Sequence, residues 1–425
     1  MNAASCASSS SPQRRHLSLD ALNFLLSDAK GAFGPYLNVF LVTEQGWSQS
    51  SVGVVTTISG LVGLAAQTPV GTAIDATRAK RAVVLIALAA FAFGSAIVFA
   101  APTFLPVLAA KTMIAVFGDV FGPAVASLTL GLFARDRLAN RMGRNEAFNH
   151  AGNVSFAIVA GGIGWLFGQQ ALFLLVPFFA ALAAGAVLSI PAASIDHKRA
   201  RGAAPDRTDG HASGEQSRFE YRSLAVFALC AMLFHFANAP LLPLVGQKLA
   251  LANREFATPL MSACIVAAQL VMLPIALFAG KKAEQWGRKP VLLIGFAVLP
   301  VRALLYTLSN NSAWLIAVQL FDGVGAGIWG VLAPLVVADI MSGTGRYNFA
   351  LGVVATAHGI GASLSGLAAG FTVDHFGYDA AFLTSAAVAC VALAVLCFGM
   401  PETCIRSAGY SCGNSTQCLP PSSPL

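Results

Sequence analysis

Charge is what this sequence has least of. Asp, Glu, Lys and Arg make up only 11% of its 425 residues, under half of the ~25% carried by an ordinary soluble domain. Set against 56% hydrophobic residues and a mean hydropathy of +0.70, that scarcity excludes a typical soluble enzyme and a disordered chain. Cysteine is sparse and scattered, eight in all, which excludes a disulfide-rich secreted module. Cys404, Cys412 and Cys418, spaced 8 and 6 apart, match no zinc pattern, so the thiols read as ordinary reduced groups. A Walker motif, an H-E-x-x-H motif and a nucleophile–base constellation are all missing, so no ATP-driven or enzymatic chemistry, metal or cofactor is expected. Residues 1–16 are Ser-rich, with neither an apolar core segment nor a small-residue cleavage site. The pair Arg14–Arg15 reads as the flank of the first span rather than as a twin-arginine signal.

What the chain does have is long apolar runs. A bilayer-crossing helix needs about 20 mainly apolar residues, and breaks rich in charge or in Gly, Pro and Asn divide this sequence into twelve such spans. They are expected at 18–43, 50–70, 82–102, 104–134, 146–170, 172–193, 223–247, 257–279, 290–308, 313–341, 347–373 and 379–400. The splits at Pro102 and at Gln169–Gln170 follow from length alone. Of the 26 Lys and Arg residues, 21 fall in the termini and in alternate loops, among them Arg135, Arg137, Arg141 and Arg144, and only Lys248 and Arg254 fall in the opposite loops. This asymmetry predicts cytoplasmic termini in a plasma (cell inner) membrane, with the basic surplus as a topology signal and not a nucleic-acid surface.

Residues 194–222 form the one long hydrophilic interruption and divide the spans six and six. The expected organisation is a cytoplasmic segment 1–17, a bundle 18–193, the loop 194–222, a second bundle 223–400 and a tail 401–425. The two bundles share sequence. Gly71, Asp75 and Lys80 align with Gly280, Glu284 and Lys289 at an offset of 209; Gly34-Pro35 aligns with Ala239-Pro240 at 205; Phe117-Gly118-Asp119 with Leu320-Phe321-Asp322 at 203; Gly143-Arg144 with Gly345-Arg346 at 202. Four matches in order at nearly one offset indicate a duplicated six-helix unit.

With that duplication and the segment Gly71-x-x-x-Asp75-x-x-Arg78-x-Lys80-Arg81, residues 17–400 resemble the major facilitator superfamily. The resemblance implies an all-α membrane fold of twelve helices in two pseudo-repeats, working as a monomer on a small molecule and protons by alternating access. It also implies that the cluster after span 2, called motif A, latches the bundles on the cytoplasmic face; that role carries to Gly71, Asp75, Arg78 and Arg81, and to their echoes Gly280, Glu284, Arg288 and Lys289. The alternative is that these basic residues only set topology. Two features depart from the family pattern: Lys111 stands where Arg is usual in span 4, and span 5 lacks the Gly-Pro signature of drug–proton antiporters.

Ionisable groups inside spans cost roughly 2.5–3.5 kcal/mol each on insertion scales and are functional candidates for that reason. Asp28, Asp119 and Asp322 are the proton-coupling candidates; Lys30, Asn38, Lys111, His235 and Asn238 are the substrate-cavity candidates. Lys30 and His235 are 205 apart, equivalent places in spans 1 and 7, and so are expected to face each other across the cavity. The bland alternative is a static network of Lys30–Asp and Lys111–Asp119 pairs. Arg302 is expected to snorkel to the outer interface. Gly118-x-x-x-Gly122, Gly164-x-x-x-Gly168 and Gly366-x-x-x-Gly370 are read as close-packing faces. Three functions follow: proton-coupled export of a small organic compound, proton-coupled import of an organic anion or siderophore-like solute, and a non-transporting sensor or assembly protein on the same scaffold.

Overall fold

A computed structural model describes residues 12–77, 79–133, 135–191, 195–196, 214–341 and 346–403, which contain helices and no strand. A chain in lipid must satisfy every backbone N–H and C=O internally, and for apolar runs of this length the α-helix does so. Twelve rods result. They are α1 (Pro12–Gly31, running through a wide turn at Ala32–Tyr36 into Leu37–Thr43), α2 (Gln49–Ala76), α3 (Lys80–Ala100), α4 (Phe104–Leu132), α5 (Arg135–Phe167) and α6 (Leu172–Leu188). The second set is α7 (Gly214–Asn238, continued as Leu241–Ala252), α8 (Ala257–Trp286), α9 (Arg288–Leu305), α10 (Ser312–Val318, continued as Leu320–Ile340), and α11 and α12 within Tyr347–Gly399. Gly377, at φ +83°, separates the last two, a left-handed geometry that glycine adopts without a steric penalty.

Among the described residues nine helical stretches are long and apolar enough to cross a bilayer, and the last of these is the 51-residue run that holds both α11 and α12. The remaining rods, α1 and α9, carry more charge; α9 alone bears Arg288, Lys289 and Arg302. Both length-based splits fall where expected, at residues 101–103 and 168–171. Several rods start before their apolar segment does. α5 begins at Arg135 rather than 146, and α7 begins at Gly214, inside the stretch 194–222 expected as loop. Hydropathy ends at the first charges, whereas helical hydrogen bonding continues past the lipid into water.

Each set of six rods packs around its own aromatic core. Phe40 meets Phe173 at 5.1 Å and Phe91 meets Phe121 at 5.2 Å between ring centroids in the first bundle, and Phe234 meets Phe296 at 4.6 Å in the second. Outward-facing positions stay apolar, as at Phe93, Leu105, Phe376 and Phe398. Consecutive rods run antiparallel, so one face of the molecule carries the start of α1 and the end of α12 and the other carries the turns at 44–48, 101–103, 253–256 and Gly377. These are called the terminal face and the far face.

The bundles meet from the middle of the helices to the far face. α2 lies against α11 so closely that a Cβ on Gly53 would collide with the backbone of Gly366, and one on Gly370 with the carbonyl of Gln49. Thr57 donates its hydroxyl to the carbonyl of Ser363 at 2.7 Å. α5 lies against α8 through Gly161 and Gly164, with Trp165 stacked on Phe256. Tyr36 of α1 and Ser262 of α8 share a hydrogen bond of 2.7 Å. Asp374, near the end of α11, accepts the N–H groups of Gln49 and Ser50 at 3.0 and 2.7 Å and so caps the first turn of α2 across the bundle boundary. Towards the terminal face the described contacts of the gate residues stay within one bundle, as detailed below.

Candidate functional site: charged networks between the helices

Among the described residues the largest fully buried side chain is Arg302. It does not snorkel. Its position on α9 turns it inward, where Nη1 donates to Asp322 Oδ1 of α10 at 2.5 Å and to Asn238 Oδ1 of α7 at 2.7 Å. Nη2 donates to Gln319 Oε1 at 3.0 Å and Nε to Tyr306 Oη at 3.0 Å, while the Tyr306 hydroxyl also bonds Gln319. The Arg302 side chain is 1% exposed and that of Asp322 is 18%, so the acid is the less buried member of the pair. Snorkelling loses to pairing because four oxygen acceptors converge on the guanidinium, and a buried charge is tolerable only when paired and hydrogen-bonded.

Of the candidates inside spans, Asp322 and Asn238 therefore belong to one network. Lys111 and Asn38 belong to another: Lys111 Nζ donates to Asn38 Oδ1 at 3.2 Å and to Thr56 Oγ1 at 2.7 Å. His235 is buried in the second bundle, its Nδ1 2.9 Å from the carbonyl of Ala231 and its ring stacked on His358 at 3.4 Å, with Trp329 edge-on at 4.9 Å. The side chains of Asp28, Lys30 and Asp119 lie outside the described residues, so the expected pairings of Lys30 with His235 and of Lys111 with Asp119 are not drawn there. His150 joins the bundles through Gln269 at 3.1 Å.

In motif A the surroundings of Gly71, the side chain of Asp75, and Arg78 altogether lie outside the described residues as well. Arg81 donates to the carbonyl of Leu188 at 3.1 Å, a contact inside the first bundle. In the second bundle Arg288 pairs with Asp339 at 2.9 Å, Lys289 donates to the carbonyl of Cys397, and Glu402 accepts the N–H groups of both residues. Gly280 touches Val331, and Glu284 is exposed.

Sequence reasoning missed Asp20. Its carboxylate takes Arg141 at 2.5 Å and Arg144 at 2.6 Å, and Asn145 accepts from Arg141 at 2.7 Å while donating to Thr129 at 3.0 Å. Near this cluster a cleft of about 210 Å³ opens between α1, α4 and α5, lined by Asn23, Asn145, Glu146 and Asn149. The signal is present in the sequence: Arg141, Arg144 and Asn145 share one helical face by their spacing, but arginines at a span end read equally well as topology charges. Gln247 and Tyr306 were also missed, since nothing in a one-dimensional pattern marks them. Among the described residues no three His, Cys, Asp or Glu side chains are grouped to hold a metal ion.

Comparison with known proteins agrees with this architecture. The model of the MFS_1 like family matches residues 16–384. The chain is 46% identical over 403 residues to the uncharacterized MFS-type transporter Rv2456c of Mycobacterium tuberculosis (strain ATCC 25618 / H37Rv), covering 92% of this chain and 94% of that one. Among solved structures it superposes on a point mutant of the nucleoside transporter NupG with a TM-score of 0.74 at 16% identity, covering 90% of this chain and 99% of the other. It superposes on a D-xylose-proton symporter with a TM-score of 0.71 at 14% identity, covering 93% and 99%. Duplicated bundles, buried intramembrane charges and a family match over most of the length lead to one conclusion: the chain belongs to the major facilitator superfamily and is a membrane transporter, not an enzyme.

Proposed function

We propose that this protein is a secondary transporter that exports a small organic compound in exchange for protons, with Asp322 as the group that carries the proton. The buried Arg302–Asp322 pair carries the reading. Static helix packing does not call for an ion pair in the core, since apolar residues of similar volume are commonly as good or better there. A carboxylate that is partly exposed while its partner is buried has a use in a cycle that wets it from alternate sides. Protonation cancels the charge of Asp322 and releases the guanidinium, which loosens α10 from α9 and from the break in α7 at Asn238. Asp28 and Asp119 are the further acids through which a proton would pass.

The basic residues favour cytoplasmic termini in the plasma membrane. With that orientation the far face is extracellular, and contact between bundles there corresponds to an inward-facing state. Motif A would close the opposite, terminal face in the other half of the cycle. Export is favoured by the acid Asp28 in α1, a feature that resembles drug–proton antiporters. Import is the second reading, favoured by α5, which runs from Arg135 to Phe167 without a proline and so lacks the antiporter signature.

The test is substrate-induced proton movement in proteoliposomes over a panel of antibiotics, organic acids and iron chelates, with Asp322→Asn and Asp119→Asn alongside. Counter-movement of proton and solute that disappears in Asp322→Asn is the expected result. Co-directional movement would establish import. Proton flux in Asp322→Asn equal to that of the parent would overturn the assigned role of the pair.

A further inference from the structure

We infer that the cavity under the closed far face receives a small organic anion, with Lys111 as its charge partner and Gln247 as acceptor for a hydroxyl or N–H on the same molecule. This rests on the transporter reading and adds the substrate class to it.

The cavity measures about 100 Å³ and lies between α1, α2, α7 and α11, so both bundles wall it. Asn38, Thr56 and Gln247 give it polar walls, and Val52, Pro243 and Leu244 an apolar floor. Lys111 stands behind two of those polar walls. Its ammonium is held by Asn38 and Thr56, both neutral, and the described ion pairs do not include it. Nor does helix geometry bring the nearest spanning acids to it. At 1.5 Å rise per residue, the backbone of Asp119 is about 12 Å farther along α4, and Asp28 lies on the other side of the turn at Ala32–Tyr36 from Asn38. Glu44, beyond the end of α1, is engaged by the N–H of Gln169.

Arg302 provides the contrast. Arg302 and Lys111 both lie deep within their spans, and the first has a built-in carboxylate whereas the second, among the described residues, is held by neutral oxygens. A cation kept among neutral oxygens beside a cavity retains its charge for an anion that arrives and leaves. Gln247 supplies an independent observation. It is 1% exposed, its side-chain oxygen has no hydrogen-bond partner, and its amide N–H₂ only reaches the carbonyl of Asn38 at 3.5 Å. A buried acceptor left unpaired is costly, and a donor on the ligand would satisfy it. The site also adjoins the coupling network. Asn238 binds Arg302, and the next residues, Ala239 and Pro240, form part of the cavity wall. An anion in the cavity therefore presses on the break in α7 that touches Arg302.

The test uses the full chain in detergent and in proteoliposomes. The probes are the monocarboxylates from acetate to octanoate, lactate and benzoate, each beside its neutral amide. At least one acid is expected to raise the unfolding temperature at concentrations where its amide does not. Lys111→Gln should weaken that binding by at least about 30-fold, the scale expected for removing one partner of a buried charge pair, and Lys111→Arg should retain it. Gln247→Leu should weaken lactate more than propionate. Unfolding of each variant without ligand reports whether it is folded. The inference fails if no carboxylate binds the parent, if amides bind as well as acids, or if folded Lys111→Gln binds like the parent. Carboxylates that bind through Lys111 but move no protons would leave it standing and sink the coupling reading. A neutral solute driven by protons, indifferent to Lys111→Gln, would do the reverse.

Discussion

Replacing Arg302 by Met leaves Asp322, Asn238 and Gln319 as acceptors around an apolar chain, with the carboxylate as an uncompensated charge. Removing one partner of a buried pair costs about 3–5 kcal/mol, so Arg302→Met should lower the unfolding temperature in detergent by a large and easily measured amount. Adding Asp322→Asn should restore most of the loss, because the orphaned charge goes with it. Equal unfolding temperatures for the single and double variants would show that the ion pair is not what holds α9 to α10. The same residue marks the limit of a sequence reading at this scale. Charges inside spans are visible as charges, so Asp322, Lys111 and His235 could be singled out. The partner of Arg302 lies 20 positions on, across a loop and on another rod, and only tertiary packing decides whether an arginine turns toward lipid headgroups or toward Asp322. Asp20 was overlooked for the same reason, since its meaning comes from Arg141 and Arg144 more than 120 positions away.

At the scale of elements, the contact between α2 and α11 is where the two bundles are pressed together. Gly366 faces Thr56 and the carbonyl of Gly53, and Gly370 faces Gln49, so Gly366-x-x-x-Gly370 serves the boundary between bundles. Gly164 likewise meets Thr258 of α8, whereas Gly168 turns the chain at φ +85° and Gly122 has open space beside it. Overpacking a tight contact costs typically about 1–3 kcal/mol. Gly366→Val should therefore open the far face, read as a longer distance between spin labels at the exposed positions Leu105 and Leu308 in a cysteine-free background. An unchanged distance distribution would mean that this contact does not govern closure. The rods themselves were legible because the bilayer requires helices of a set length and breaks them at polar or proline-rich points. Their ends were less legible, as α5 and α7 show, because helix formation outlasts the apolar run. Which glycine pair packs between bundles and which within one was not legible either, since the spacing is the same.

For the molecule as a whole, the same two helices, α2 and α11, carry an acid near opposite faces. Asp374 caps the start of α2 at the far face. Asp75, near the end of α2, belongs to the cluster proposed to close the terminal face. A carboxylate on a helix N-terminus is worth about 1 kcal/mol, which is roughly a fivefold change in the balance between two states. Asp374→Ala should then shift the population toward an open far face by about that factor, and Asp75→Ala, by removing an acid from the cluster proposed to close the other side, toward an open terminal face. The labels at Leu105 and Leu308 should report a longer mean distance for the first and a shorter one for the second. In the double variant the two shifts should largely cancel, because each acid stabilises one state of a single equilibrium. If both single variants lengthen the distance, the acids act on general stability rather than on opposite ends of a rocking motion. Transport should slow in both single variants, since a cycle that dwells in either state is limited by leaving it.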